Sequence, residues 1–197
     1  SIFFFFLVGM TYVILLGGID LATGSIISFV NIVCAYFMVN MGMNVVLAVL
    51  LSLIISTFIG FLNGIIIAEL RMPALIVTFA SQTIFAGYAY IICGGVPISR
   101  MPESFLKLGQ GYVGPIPVPV IVMVVIFAIG TFILNKTYFG RYFYALGGNE
   151  EAALLSGIKI KVVKCLVYSL SGLFAGIAGL VMLARANTAQ PNAGVGY

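Results

Sequence analysis

Hydrophobic and polar positions in this chain alternate on the scale of whole segments. Long apolar runs are separated by brief polar punctuation: IFFFFLVGMTYVILL, then GGIDLATGS, then IISFVNIVCAYFMV, with further runs between the polar stretches at 41–44, 69–72, 94–115 and 135–164. A helix needs roughly 20 apolar residues to cross a bilayer. The pattern predicts a broken segment at 2–39 and spans near 45–68, 73–93, 116–134 and 162–184. Pro73 suits a helix start, where its missing N–H is not needed. Pro115, Pro117 and Pro119 stiffen an extended entry into the span near 116. A β-barrel would show alternating segments of about 10 residues, and none appears. The expected fold class is all-α, a polytopic transmembrane helical bundle.

Composition agrees. Of 197 residues, 62% are hydrophobic and only 7% charged, against about 25% charged in soluble domains. The first residues are apolar, with no charged leader and no small-residue cleavage site, so a cleaved signal peptide is not expected. The chain begins inside an apolar run without Met and ends without a charged tail. It is expected to be a fragment of a single transmembrane domain, residues 1–197, lacking N-terminal and C-terminal spans.

Charge adds orientation. The loop from Asn135 to Lys164 carries Lys136, Arg141, Lys159, Lys161 and Lys164 against Glu150 and Glu151, and the positive-inside rule turns it to the cytoplasm. Alternation then puts 94–115 outside, 69–72 inside and 41–44 outside. No basic cluster is interleaved with aromatics, so a nucleic-acid partner is not expected. Cys34, Cys93 and Cys165 are far apart in apolar sequence and form no CxxC, which reads as buried hydrophobes rather than metal ligands or a redox pair.

On the span at 45–68, Ala48, Ser52, Ser56, Gly60, Gly64 and Ala68 step by four and lay small side chains along one ridge. Gly172, Ala175, Gly176 and Gly179 make a second small patch. In lipid, close backbone approach through small residues drives helix association, so both read as packing faces, with a subunit interface as a further use.

The stretch GGIDLATGS sits where such a chain should have no carboxylate. The apolar runs on either side, about 15 and 14 residues, are each short for a crossing. A Gly-interrupted segment at membrane depth signals a discontinuous helix near 17–25, tolerated where it is buried in protein or lines a cavity. Gly17 and Gly18 would end the first half, and Asp20, Thr23 or Ser25 could accept bonds from the exposed N–H groups of the second. Asp20 is thus a helix cap or a polar group on a translocation route, and the two are compatible.

On the cytoplasmic side, Asn149 is a good N-cap, Glu150 and Glu151 fall in the first turn, and Gly157 suits a stop. Between them EEAALLS makes about two turns, with Ala152, Ala153, Leu154 and Leu155 as an apolar surface too short to bury by itself. It suits insertion into a partner's groove; the alternative is an interfacial helix on the lipid headgroups.

GGIDLATGS, NGIIIAELRMPALIVTFA, TYFGRYFYALGGNEEAALLSGIKIKVVKCLVYSLSG and AQPNAGVGY resemble, in this order and over essentially the whole chain, the permease subunits of ribose-type sugar ABC importers of bacterial inner membranes. The resemblance implies a multi-pass inner-membrane protein with no catalytic site and no cofactor of its own. ATP and magnesium would be bound by a separate ABC ATPase. It also implies a second permease chain as a homodimer partner and a periplasmic or lipoprotein sugar-binding protein. Gly148 to Ser156 and Gly157 would be the coupling helix docked on the ATPase. Ala22 and Thr23 depart from the Ser and Val usual in that family, so sugar contacts are not carried over to them.

Other classes fare worse. The chain has no histidine, which excludes Ser–His hydrolysis and His-bound metal within these residues. Asp20 has no second deep carboxylate for a paired-aspartate protease. GGNEEAALLSG lacks the Gly-Lys-Ser/Thr ending of a nucleotide loop. An ion- or proton-coupled secondary transporter is the remaining alternative, although such carriers place several ionisable groups near the midplane.

Overall fold

The computed structural model describes residues 2–196; Ser1 and Tyr197, the last residue of AQPNAGVGY, lie outside it. Nine α-helices and four two-residue strands follow one another in the described residues. In chain order they are α1 (Ile2–Leu15), α2 (Thr23–Ala35, continued by a π-helical turn Tyr36–Asn40), α3 (Val45–Glu69), α4 (Ala74–Cys93), β1 (Ile98–Ser99) and α5 (Glu103–Gln110). Then come β2 (Tyr112–Val113), β3 (Ile116–Pro117), α6 (Val118–Lys136), α7 (Tyr138–Gly148), α8 (Glu150–Leu155), α9 (Ile160–Ala186) and β4 (Thr188–Ala189). Five helical runs are long and apolar enough to cross a membrane: Thr23–Asn40, Val45–Glu69, Ala74–Cys93, Val118–Lys136 and Ile160–Ala186. The all-α polytopic bundle is therefore observed. The α2 run is longer than its sequence suggested, because the π turn carries it to 18 residues.

Two helices form the centre. Every residue of α2 from Thr23 to Ala35 is buried, and α9 buries most of its length. The outer helices α3, α4 and α6 keep apolar side chains exposed, among them Ile54, Phe58, Phe79, Ile84, Val124 and Phe132. Such surface is stable in lipid and not in water.

The α3–α9 seam is where the small residues go. A methyl group on Gly60 would strike the Tyr168 carbonyl, one on Gly64 would meet Cys165, and one on Gly172 or Gly176 would run into Ser56. The two ridges interlock with each other inside one chain, and Gly179 packs on the backbone of Ile27 in α2. Ala48 and Ser52, at the other end of the α3 ridge, are also fully buried. A ridge consumed this way is not available as a subunit interface.

The ends of the bundle differ. One carries the 69–72 turn, α7, α8 and the start of α9, with Arg71, Lys136, Arg141, Lys159, Lys161 and Lys164; by the positive-inside rule it is the inner end. The other is covered by 94–117, which pairs β1 with β4 and β2 with β3. Met101 N–H donates to Asn187 Oδ1 there at 3.0 Å. The sequence reading had no place for α5, α7 or these strands. Helix α7 occupies part of the 135–164 loop, and its buried Gly140, Phe143 and Leu146 recur every three residues along one face.

Candidate functional site: a helix break above an inner vestibule

The break expected near 17–25 falls at residues 16–22, so Thr23 and Ser25 are already inside α2, and its geometry follows from two glycines. Gly17 adopts φ +74°, its N–H donates to the Ile14 carbonyl at 2.9 Å, and the Gly18 N–H donates to the Val13 carbonyl at 3.0 Å. This is the Schellman pattern that satisfies the last carbonyls of a helix. The left-handed residue also turns the chain around. Along α9, Gly9 lies against Ser171 and Phe174 while Gly18 lies against Tyr168, so α1 descends. Ile27 then lies beside Gly179, so α2 climbs. The interruption is a reversal at depth, not a gap in one straight helix. At 1.5 Å per residue, Ser171 sits about 16 Å along the roughly 40 Å of α9.

Asp20 is buried at the reversal, with 2% of its surface exposed. Its Oδ1 accepts from the Ala22 N–H at 3.0 Å. Its Oδ2 accepts from the Ser171 hydroxyl at 2.7 Å, which ties the break to α9. A carboxylate taken out of water needs such donors. The expected cap takes a different form here. The residue preceding α2 is Ala22, which makes no side-chain cap bond. Thr23 donates to the Asp20 carbonyl at 3.1 Å and Ser25 to the Ala22 carbonyl at 2.8 Å. Both hydroxyls stand inside α2 as donors to carbonyls, because a buried O–H finds the nearest free lone pair. Asp20 shapes the turn before the helix and binds its neighbour.

Beneath the break a cavity of about 750 Å³ opens at the inner end. Leu16, Gly17 and Gly18 line it from the break, Arg71 to Ala74 from the α3–α4 turn, Glu150, Glu151 and Leu154 from α8, and Lys161, Lys164 and Tyr168 from α9. Two ion pairs border it. Lys164 Nζ lies 2.7 Å from Glu150 Oε1, joining α8 to α9, and Lys161 pairs with Glu69, joining α9 to α3. A smaller groove between α3 and α9 is lined by apolar side chains such as Leu50, Ile54, Phe58 and Leu173, and faces outward from the bundle.

Helix α8 is built as its sequence suggests. Asn149 Oδ1 accepts from the Ala152 N–H at 3.0 Å. Gly157, at φ +81°, ends the turn, with its N–H on the Leu154 carbonyl and that of Ile158 on the Ala153 carbonyl. Ala153 is buried, whereas Leu154 and Leu155 are 60% and 88% exposed. Gly148 belongs to the end of α7, and Ser156 and Gly157 follow the helix. Helix α7 connects α8 to the break: Gly147 lies directly against the Leu15 carbonyl at the end of α1, and Phe143 packs on Tyr12 at 5.8 Å.

Above the break, the chain after β4 folds back along α2. Gln190 N–H donates to Asn31 Oδ1 at 3.2 Å, and Gly194 N–H to Ser28 Oγ at 2.7 Å. Ser28, Asn31, Ser171 and Tyr168 were not singled out from sequence. The signal was present for the first two, which are polar residues one turn apart in an otherwise apolar run. Among the described residues no group of three or more His, Cys, Asp or Glu side chains could hold a metal.

A buried helical reversal over a charged inner vestibule, with a short exposed helix at its rim, defines a polytopic helical membrane protein. The chain belongs to the family described as branched-chain amino acid transport system / permease component, whose model matches residues 1–197. It is 40% identical over 194 residues to the ribose import permease protein RbsC of Haemophilus influenzae, covering 96% of this chain and 60% of that protein. It is 44% identical over 191 residues to the Bacillus subtilis RbsC, covering 96% and 59%. With the L-arabinose transport system permease protein AraH of Escherichia coli K12 it shares 36% over 189 residues, covering 96% and 57%. The chain thus spans about three-fifths of the length of these curated relatives. No solved structure matches it.

Proposed function

We propose that this chain is the core of the permease subunit of a binding-protein-dependent ABC importer that moves a simple sugar, ribose or a similar monosaccharide, across the bacterial inner membrane. The observation that carries the reading is the physical line from α8 to the break. Leu155 faces outward for a partner, and Leu154 stands exposed beside it at the mouth of the vestibule. Glu150 and Lys164 fasten α8 to α9, and Gly147 of α7 rests on the last turn of α1. A partner that pushes α8 therefore displaces the helices that frame the vestibule. The names of the relatives, ribose and arabinose permeases, support a sugar as cargo.

In this reading the chain is one permease domain without catalysis of its own. A separate ABC ATPase binds ATP and magnesium and seats α8. A sugar-binding protein delivers cargo at the outer end, near 94–100 and 41–44. A second permease chain completes the pathway, and lipid covers the exposed apolar faces of α3, α4 and α6. Proton coupling is disfavoured because Asp20 is the one buried acidic side chain among the described residues and both its oxygens are engaged.

The test is uptake of ribose into proteoliposomes holding the full-length permease with its ATPase and binding protein. Uptake should require ATP and persist when the proton gradient is collapsed. Uptake that follows the gradient without nucleotide would favour a secondary transporter.

A further inference from the structure

We infer that the inner vestibule is a binding site for a phosphorylated sugar from the cytosol, with the Tyr168 hydroxyl meeting a sugar hydroxyl at its deep end and Arg71 and the start of α4 holding the phosphate at its mouth. The regulatory consequence rests on the transport reading above; the binding itself does not.

Tyr168 is the odd member of the lining. It sits about 12 Å along α9 from the inner end and is only 3% exposed. Its hydroxyl lies over Gly18, which also lines the vestibule, so close that a methyl there would stand 2.7 Å from it. That hydroxyl has no hydrogen-bond partner among the described residues. Ser171, one turn further along α9, is by contrast taken by Asp20. A buried phenol normally finds a partner, and one without is costly unless something in the adjoining space pairs with it. The vestibule is that space. Its volume of about 750 Å³ falls within the range of small-molecule sites, about 300–1,000 Å³.

Charge sets the other end. The lining carries three cations, Arg71, Lys161 and Lys164, against two carboxylates, Glu150 and Glu151. Lys164 is committed to Glu150 and Lys161 to Glu69, whereas Arg71 makes no ion pair among the described residues. Arg71 holds φ +52° just past the end of α3. Glycine is the usual residue at such a position, so the turn itself does not call for an arginine. Three residues on, α4 begins. Pro73 gives it no side-chain cap, and the Ala74 and Leu75 N–H groups donate to no acceptor among the described residues. Free N–H groups at a helix start and a guanidinium fork are two common holders of phosphate. Glu151, the lining carboxylate without an ion pair, belongs to α8 and not to this turn.

A ligand that satisfies both ends bears hydroxyls and a phosphate. Phosphoryl transfer to an imported monosaccharide makes such a compound on the side to which the vestibule opens. Seated there, it ties the break, the α3–α4 turn and α8 together and slows further uptake.

Isothermal titration calorimetry on the full-length permease with its ATPase, in phosphatidylcholine nanodiscs, tests the site. Ribose 5-phosphate should bind about tenfold more tightly than ribose or inorganic phosphate. Tyr168→Phe, which keeps the ring, and Arg71→Gln should each weaken it about tenfold, the weight of one hydrogen bond. Arg71→Lys, which keeps the charge, should bind nearly as the parent does. These variants lie in this chain, so binding at the ATPase would not respond to them. No binding of ribose 5-phosphate leaves water as the occupant and overturns the site. Equal affinity for ribose overturns the phosphate anchor, and unchanged affinity in Tyr168→Phe overturns the hydroxyl contact. Loss of binding in phosphatidylglycerol nanodiscs makes a lipid headgroup the occupant and overturns the soluble ligand. In proteoliposomes with ATP enclosed at the inner face, enclosed ribose 5-phosphate should slow ribose uptake severalfold, and less so in Tyr168→Phe. Binding without slowing overturns the regulatory role. A ligand-free complex with no ATP-dependent uptake counts against the transport reading instead, while the calorimetry still decides the site.

Discussion

The Ser171 hydroxyl donates to Asp20 Oδ2 at 2.7 Å, fastening the non-helical turn before α2 to the middle of α9. This one bond joins the two central helices at the point where the backbone reverses. It also gives Asp20 a structural duty that can be separated from its charge.

Asp20→Asn keeps a side-chain oxygen for the Ala22 N–H and a polar partner for Ser171, whereas Asp20→Ala leaves both donors unpaired. An unsatisfied buried donor costs about 1–3 kcal/mol. The alanine variant should therefore unfold at a clearly lower temperature in detergent and lose uptake, while the asparagine variant stays close to the parent in both. Lost uptake in a stably folded Asp20→Asn protein would assign the work to the charge.

Two glycines provide a matched pair. A methyl on Gly60 would meet the Tyr168 backbone, while one on Gly87 in α4 meets nothing within 4 Å. Gly60→Ala should force α3 from α9 and reduce the yield of monodisperse protein on size-exclusion chromatography. Gly87→Ala should be neutral or stabilising by about 0.5–1 kcal/mol, since glycine is the weaker helix former. Equal tolerance at both sites would contradict the close α3–α9 seam.

Helix α8 can be disabled in two ways. Leu154→Pro places a residue that costs about 3 kcal/mol in a helix interior. Leu155→Asp leaves the helix intact and charges its most exposed apolar side chain. Both variants should reach the membrane at parental levels and fail in nucleotide-driven uptake. Full uptake by Leu155→Asp would remove that side chain from the proposed ATPase contact.

The Glu150–Lys164 pair is half open to solvent on its acidic side, so its contribution to stability is small, about 0–1 kcal/mol. Its effect should appear in coupling. Glu150→Lys and Lys164→Glu should each lower the uptake obtained per ATP hydrolysed, and the double exchange should recover most of it. Two impaired single variants without recovery in the exchange would mean that the residues act apart.

Much of this was legible because membrane burial writes strong local rules into a chain. The span limits, the capped helix at Asn149 and the stop at Gly157 follow from apolar run length and short-range hydrogen bonding. The step of four from Ala48 to Gly64 revealed a packing ridge, although not which helix it would meet. Helix α7 escaped notice because its aromatic and glycine-rich sequence is a poor helix former, and its order comes from packing on its neighbours, α1 and α6 among them.

What the order of residues determined by itself was therefore the class: an apolar bundle with a polar interruption, a positive inner face and a short exposed helix. Tertiary structure alone decided that the interruption reverses the chain, that Asp20 finds Ser171 151 positions away, and that the segment at 190–196 lies against Ser28 and Asn31. The physical reason is range. Run lengths, caps and glycine turns act within a few residues. The partner of a buried polar group depends on which helices settle side by side, and that is fixed by packing the whole bundle at once.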